Sequence, residues 1–235
     1  MTLDVEAEAL KFAGEVQDLL DDVLPAPGVL PEDRQIQVDL SAKGKRYEVR
    51  PNAEGGRVAL FKNSKPIAYL RVSFHCAADT PEEYLAVERS DFEFGDVKSR
   101  TPIARVDFMR RAHTVPACHW NIHAERGTAS RLLALGNPGH PAEFSKLHFP
   151  VGGPRMRPCL EDFLQFVIHE FKVDRRSGAR EAIAAGRERW RRRQIATLVR
   201  DAPDAAAEAL ESFGYTVTPP ADGPKPPNTA KLRAW

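Results

Sequence analysis

Between Ala117 and Arg126 the chain alternates two kinds of side chain. Cys118, Trp120, Ile122 and Ala124 fall on one set of positions, and His119, Asn121, His123 and Glu125 on the other. Successive residues of a strand face opposite sides. The segment therefore predicts a strand with one face for packing and one face of two imidazoles, an amide and a carboxylate. Such a strand belongs in a sheet. Imidazole titrates near neutrality, so a row of this kind can move protons or bind a metal.

The surrounding pattern supplies such a sheet. Ile36, Val38 and Leu40 alternate with polar residues, and Tyr47 to Arg50 follows a turn at Lys43-Gly44. Val58 to Phe61 comes after Gly55-Gly56, and Asn63-Ser64-Lys65-Pro66 turns the chain into Ile67 to Phe74. Short connections between such runs predict an antiparallel meander. Pro102 to Arg110 alternates again, with Ala104, Val106 and Phe108 on one face and Arg105, Asp107 and Met109 on the other. Lys146 to Val151 reads as a further strand that turns His148 away from Leu147 and Phe149. Residues 79–90 read two ways: Asp79 or Thr80 suits a helix cap before Pro81, whereas Leu85 to Val87 suits a strand.

Helices are expected at both ends. Val5, Leu10, Phe12, Val16, Leu19, Leu20 and Val23 follow helical spacing over residues 3–23, until Pro25 and Pro27. Residues 158–172 carry the best helical pattern, with Leu160, Phe163, Leu164, Val167, Ile168 and Phe171 on one stripe. A short helix is expected over Ser130 to Leu135, a charged one over 178–201, and another over 203–213 ending at Gly214. The fold class is α+β, a mainly antiparallel sheet flanked by an N-terminal helix and two to three C-terminal helices. The domain reading is an acidic helix over 1–30, a core over 31–175, a basic helical appendage over 176–217, and a disordered proline-rich tail over 218–235.

The chain has 235 residues and a formal net charge of +1, so nucleic-acid binding would need local patches. Cys76, Cys118 and Cys159 are odd in number and widely spaced, which favours reduced thiols over a disulfide framework or a zinc site. No signal-peptide pattern and no bilayer-length apolar run is present, and a cytoplasmic protein is expected. No cofactor signature occurs, so none is expected.

Three constellations can carry chemistry. The first is the histidine strand. A strand puts His119 and His123 about 13 Å apart, too far to share one ion, so a compact site needs a third group such as His148. The same histidines can also serve as hydrogen-bonded fillers. The second is Pro150 to Pro158, in which Gly152 and Gly153 allow close backbone approach and Arg155 and Arg157 can clamp an anion before a helix N-terminus. An ordinary tight turn explains it too. It lacks the lysine and Ser/Thr of a phosphate-binding P-loop. The third is Arg105 with Asp107, which can orient an imidazole if the two strands pair or form a cross-strand ion pair. Beyond these, Arg187, Arg189, Trp190, Arg191, Arg192 and Arg193 form a basic helical run that can hold a nucleic acid or an acidic protein, or stand as a solvated face.

Arg105, Asp107, His119, His123 and His148 together resemble the small histidine-containing ribonuclease-like toxins of bacterial toxin–antitoxin pairs, over about residues 100–172. The resemblance implies metal-independent phosphodiester chemistry. His119 or His123 and His148 would be proton shuttles, Asp107 or Glu125 would orient an imidazole, and Arg155 and Arg157 would hold phosphate. The reading placed ahead of it is a non-enzymatic binding or regulatory protein of a bacterial or phage defence or toxin–antitoxin system, with the basic helix as its contact and a homodimer as one assembly. A metal hydrolase using His119, His148 and an acid is a third reading.

Overall fold

The computed structural model describes residues 3–41, 46–79, 83–99, 101–111, 117–123, 127–136 and 157–232. The chain divides into two compact units, Met1–Gly186 and Arg187–Trp235. The first unit is an α+β fold. Among the described residues its seven strands form one sheet: β1 (Ile36–Leu40), β2 (Tyr47–Pro51), β3 (Arg57–Lys62), β4 (Lys65–Ala78), β5 (Leu85–Asp96), β6 (Ala104–Met109) and β7 (Cys118–Ile122). The order is β1-β2-β4-β5-β6-β7, and every pairing is antiparallel. β4 is long enough to pair twice along one edge: Phe74 to Cys76 meet β2, and Lys65 to Arg71 meet β3. Asn63 and Ser64 both have positive φ at the β3–β4 turn, as a tight two-residue hairpin requires.

Within residues 79–90, Leu85 to Ser90 take the strand reading, and 80–82 lie outside the described residues. β5 begins at Leu85, and the Asp79 carboxylate accepts the N–H groups of Glu83 and Tyr84 in a turn that leads into it. Asp79 thus holds the backbone just ahead of β5.

Helices cover one face of the sheet. α1 (Val5–Val23) is capped by Asp4, whose carboxylate accepts the N–H of Ala7, and it buries Ala13, Val16, Leu20 and Val23. Its contacts run to β1, β2, β4 and β5. A short α2 (Pro31–Arg34) follows. α3 (Gly127–Gly136) packs on α4 (Leu160–Phe171). The carboxylate of Asp162 accepts the backbone N–H of Cys159 at the start of α4, and Lys172 in the left-handed region ends it. Apolar strand positions meet these helices through a run of rings: Phe12 on Phe74, Phe74 on Phe92, Phe92 on Phe163, and Trp120 stacked on Phe163 at 5.7 Å between centroids. Burying such rings supplies most of the driving force for the layer.

The second unit holds the C-terminal part of α5 (Ala179–Asp201), α6 (Pro203–Ser212) and α7 (Thr229–Leu232). α7 lies in the proline-rich segment. None of the described residues of this unit is buried, and Ile195, Leu198, Val199, Leu210, Phe213 and Tyr215 are exposed. No described helix is long and apolar enough to cross a membrane.

Candidate functional site

Because alternate residues share a face, the apolar rings under the helices leave a polar face on the other side of the sheet. Reading across strands, one row runs His119, Asp107, Asp91, Ser73. The row beside it runs Asn121, Arg105, Glu93, Arg71, Arg57. The carboxylates are buried while the arginines stay partly exposed, so the face is cationic outside and anionic beneath.

Asp107 is the node of the first row. It is 8% exposed. Its Oδ2 accepts from Arg105 at 2.8 Å and from the Asn121 amide at 2.8 Å, and His119 Nε2 lies 3.8 Å from the same oxygen. Its Oδ1 is buried with no hydrogen-bond partner among the described residues. Burial pushes the Asp107 carboxyl above the ordinary carboxylate range; Arg105 opposes the shift, and Asp91, directly opposite on β5, adds to it. Asp91 is in turn gripped by Arg89 through two contacts of 2.6 and 2.9 Å.

Glu93 anchors the second row. It accepts the Tyr69 hydroxyl at 2.8 Å, and the guanidiniums of Arg57 and Arg71 each stand 3.9 Å away. The Tyr69 ring lies over Gly95 on the facing strand, where an added Cβ would come within 2.5 Å of it. Only glycine leaves room for that ring. Burial and the Glu93 bond raise the tyrosine pKa, so the hydroxyl stays protonated as a donor.

The structure thus brings Arg105, Asp107, His119 and Asn121 together. His123 follows β7 and is exposed, with its backbone N–H bound to the Ile103 carbonyl at 2.9 Å. Arg157 stands apart from this group. Its guanidinium lies 3.8 Å over the Phe108 ring, and Phe108 is on the opposite face of β6 from Asp107. Removal from water pushes Arg157 down to about 10. As an anion clamp for the histidine face it is misdirected: the sheet lies between. Glu125, His148, Gly152, Gly153 and Arg155 lie outside the described residues. Among the described residues no group of three or more His, Cys, Asp or Glu side chains is placed to hold a metal ion.

Sequence reasoning missed Asp91, Glu93, Arg57, Arg71 and Tyr69. A signal existed for two of them, since Arg89-Ser90-Asp91-Phe92-Glu93-Phe94 alternates charge with ring or hydroxyl. In the second unit, Arg189, Arg192 and Arg193 are exposed, while Arg187, Trp190 and Arg191 are partly buried. Arg192 pairs with Glu188 at 2.8 Å.

Set against protein families, curated proteins and solved structures, the chain matches none.

Proposed function

We propose that this chain is a non-enzymatic binding or regulatory protein, of the kind that serves bacterial or phage defence and toxin–antitoxin systems, and that it engages a polyanionic partner through α5. The observation that carries the reading is the spacing of arginines on that helix. Arg189, Arg192, Arg193 and Arg200 fall at i, i+3, i+4 and i+11, which gathers them on one side of a helix, and all four are exposed. A nucleic-acid backbone or an acidic protein surface suits such a side. Titrating the protein into a labelled RNA duplex and a labelled polyglutamate peptide tests it. Binding should fall as salt rises, and the triple variant Arg189→Glu, Arg192→Glu, Arg193→Glu should lose at least about tenfold in affinity. Equal binding by the variant overturns the proposal.

A second reading rests on a separate observation, the Asp107 node with His119, Arg105 and Asn121 around one carboxylate oxygen. A carboxyl with a raised pKa beside an imidazole suits acid–base work on a phosphodiester, in line with the resemblance to ribonuclease-like toxins. His148 and Arg155 would complete such a site. Here RNA cleavage by the wild type should fall in His119→Ala and in His148→Ala, and equal turnover by all three removes the reading.

A further inference from the structure

Arg57 lines a cleft that nothing in the two readings above uses, and Arg71 is its partner on the neighbouring strand. They stand directly opposite each other across β3 and β4. Like charges in that relation repel, and among the described residues one carboxylate, Glu93, pairs with them, 3.9 Å from each. Glu93 is already committed to the Tyr69 hydroxyl. Neither guanidinium makes a hydrogen bond among the described residues, and their side chains are 39% and 46% exposed. The pair therefore keeps an uncompensated positive charge and a full set of N–H donors.

The orientation is held in advance. The Arg57 guanidinium carbon lies over the Tyr69 ring, 4.2 Å from its centroid, and the ring is itself seated on Gly95. Stacking uses the face of a guanidinium and leaves its rim of N–H groups for an acceptor. The same Arg57 lines a cleft of about 440 Å³ beside β3, whose other walls include Val29, Leu30, Ala53 and Val58, with Asp33 also in the lining. β3 pairs with β4 along one edge only, so the cleft is not closed by another described strand. Its volume lies within the range that suits a small molecule.

We propose that this cleft binds a phosphate monoester of a small molecule. The phosphate would lie on Arg57 and Arg71 with forked N–H contacts, and the organic body would lie against Val29, Leu30 and Val58. A doubly charged phosphate would neutralise the opposed guanidiniums and relieve their repulsion.

Calorimetric titration with inorganic phosphate and with phenyl phosphate tests the proposal, with sodium chloride matched for ionic strength. Phenyl phosphate should bind saturably and more tightly than inorganic phosphate, and chloride should give no saturable heat. Arg71→Met should weaken both phosphate probes by about tenfold or more. Ala53→Trp, which fills the cleft, should weaken phenyl phosphate selectively. Arg175→Met, which removes an exposed charge outside the lining of the cleft, should leave both unchanged. Circular dichroism checks that each variant is folded, and Arg57→Lys supplies a milder second variant of the pair. Equal binding by wild type and Arg71→Met, a loss in Arg175→Met as large as in Arg71→Met, or no preference for phenyl phosphate would overturn the site.

Discussion

Asp91 on β5 and Asp107 on β6 stand directly opposite each other, and both are buried. Two carboxylates in this relation repel when both are ionised. Arg89 holds Asp91 and Arg105 holds Asp107, yet burial still leaves Asp107 with a raised pKa.

A carboxyl whose folded pKa exceeds its unfolded value binds its proton more tightly in the folded state. Its contribution favours folding while it is protonated and is lost as pH rises through the folded pKa. Asp107→Asn keeps an oxygen for Arg105 and Asn121 but cannot ionise. Relative to wild type, this variant should therefore gain stability between strongly acidic and neutral pH. Urea unfolding at several pH values checks it, and a stability difference that stays flat or falls with pH contradicts the assigned shift.

Tyr69→Phe isolates the other anchor of the polar face. The ring, its seat over Gly95 and its stacking with Arg57 all survive, and only the hydroxyl bond to Glu93 is lost. A buried charge-assisted hydrogen bond of this kind is worth about 1.5–3 kcal/mol. Chemical denaturation should report a loss in that range. A loss below about 0.5 kcal/mol would mean that Arg57 and Arg71 satisfy Glu93 without it.

The packing side of this fold is legible in the sequence because it is periodic. Leu160, Phe163, Leu164, Val167 and Phe171 announce α4, and Ala104, Val106 and Phe108 announce a strand, without knowledge of any partner. The closeness of Asp107 and His119 is legible to the extent that two consecutive alternating segments pair as neighbours. Register across distant strands is another matter. Nothing local in Arg57, Arg71 or Glu93 states that they form one row, because that depends on how β3, β4 and β5 align. Arg157 fails for a related reason: spacing puts it near the site in sequence, but the side of the sheet on which it emerges is a tertiary fact.

Phe163→Ala tests the ring layer. Phe163 is fully buried and touches Trp120, Phe92 and Phe166. Removing it should cost about 3–5 kcal/mol, read from urea denaturation. It should also alter the near-ultraviolet dichroism of the tryptophans, since the stack on Trp120 is lost. A cost under about 1 kcal/mol would mean that the neighbouring rings collapse into the space.

Gly136 closes α3 against the backbone of Phe171, and an added Cβ would overlap that residue's carbonyl group. Phe171 cannot retreat easily. Its ring packs on Phe94 at 4.4 Å and on Phe166 at 5.8 Å. The next carbonyl, of Lys172, accepts the Lys62 ammonium at 2.7 Å, and the N–H of Asp174 binds Phe61 at 2.7 Å. The segment after α4 is thus strapped to β3, and the clash must be absorbed by tilting α3 away from α4. Gly136→Ala should therefore destabilise the first unit by about 1–3 kcal/mol, despite the better helix propensity of alanine. Gly178→Ala is the matched control, because nothing lies within 4 Å of its added Cβ, and it should change stability by no more than about 0.5 kcal/mol. Thermal unfolding of the two variants side by side decides it: equal midpoints would show that α3 and α4 do not approach as closely as Gly136 implies.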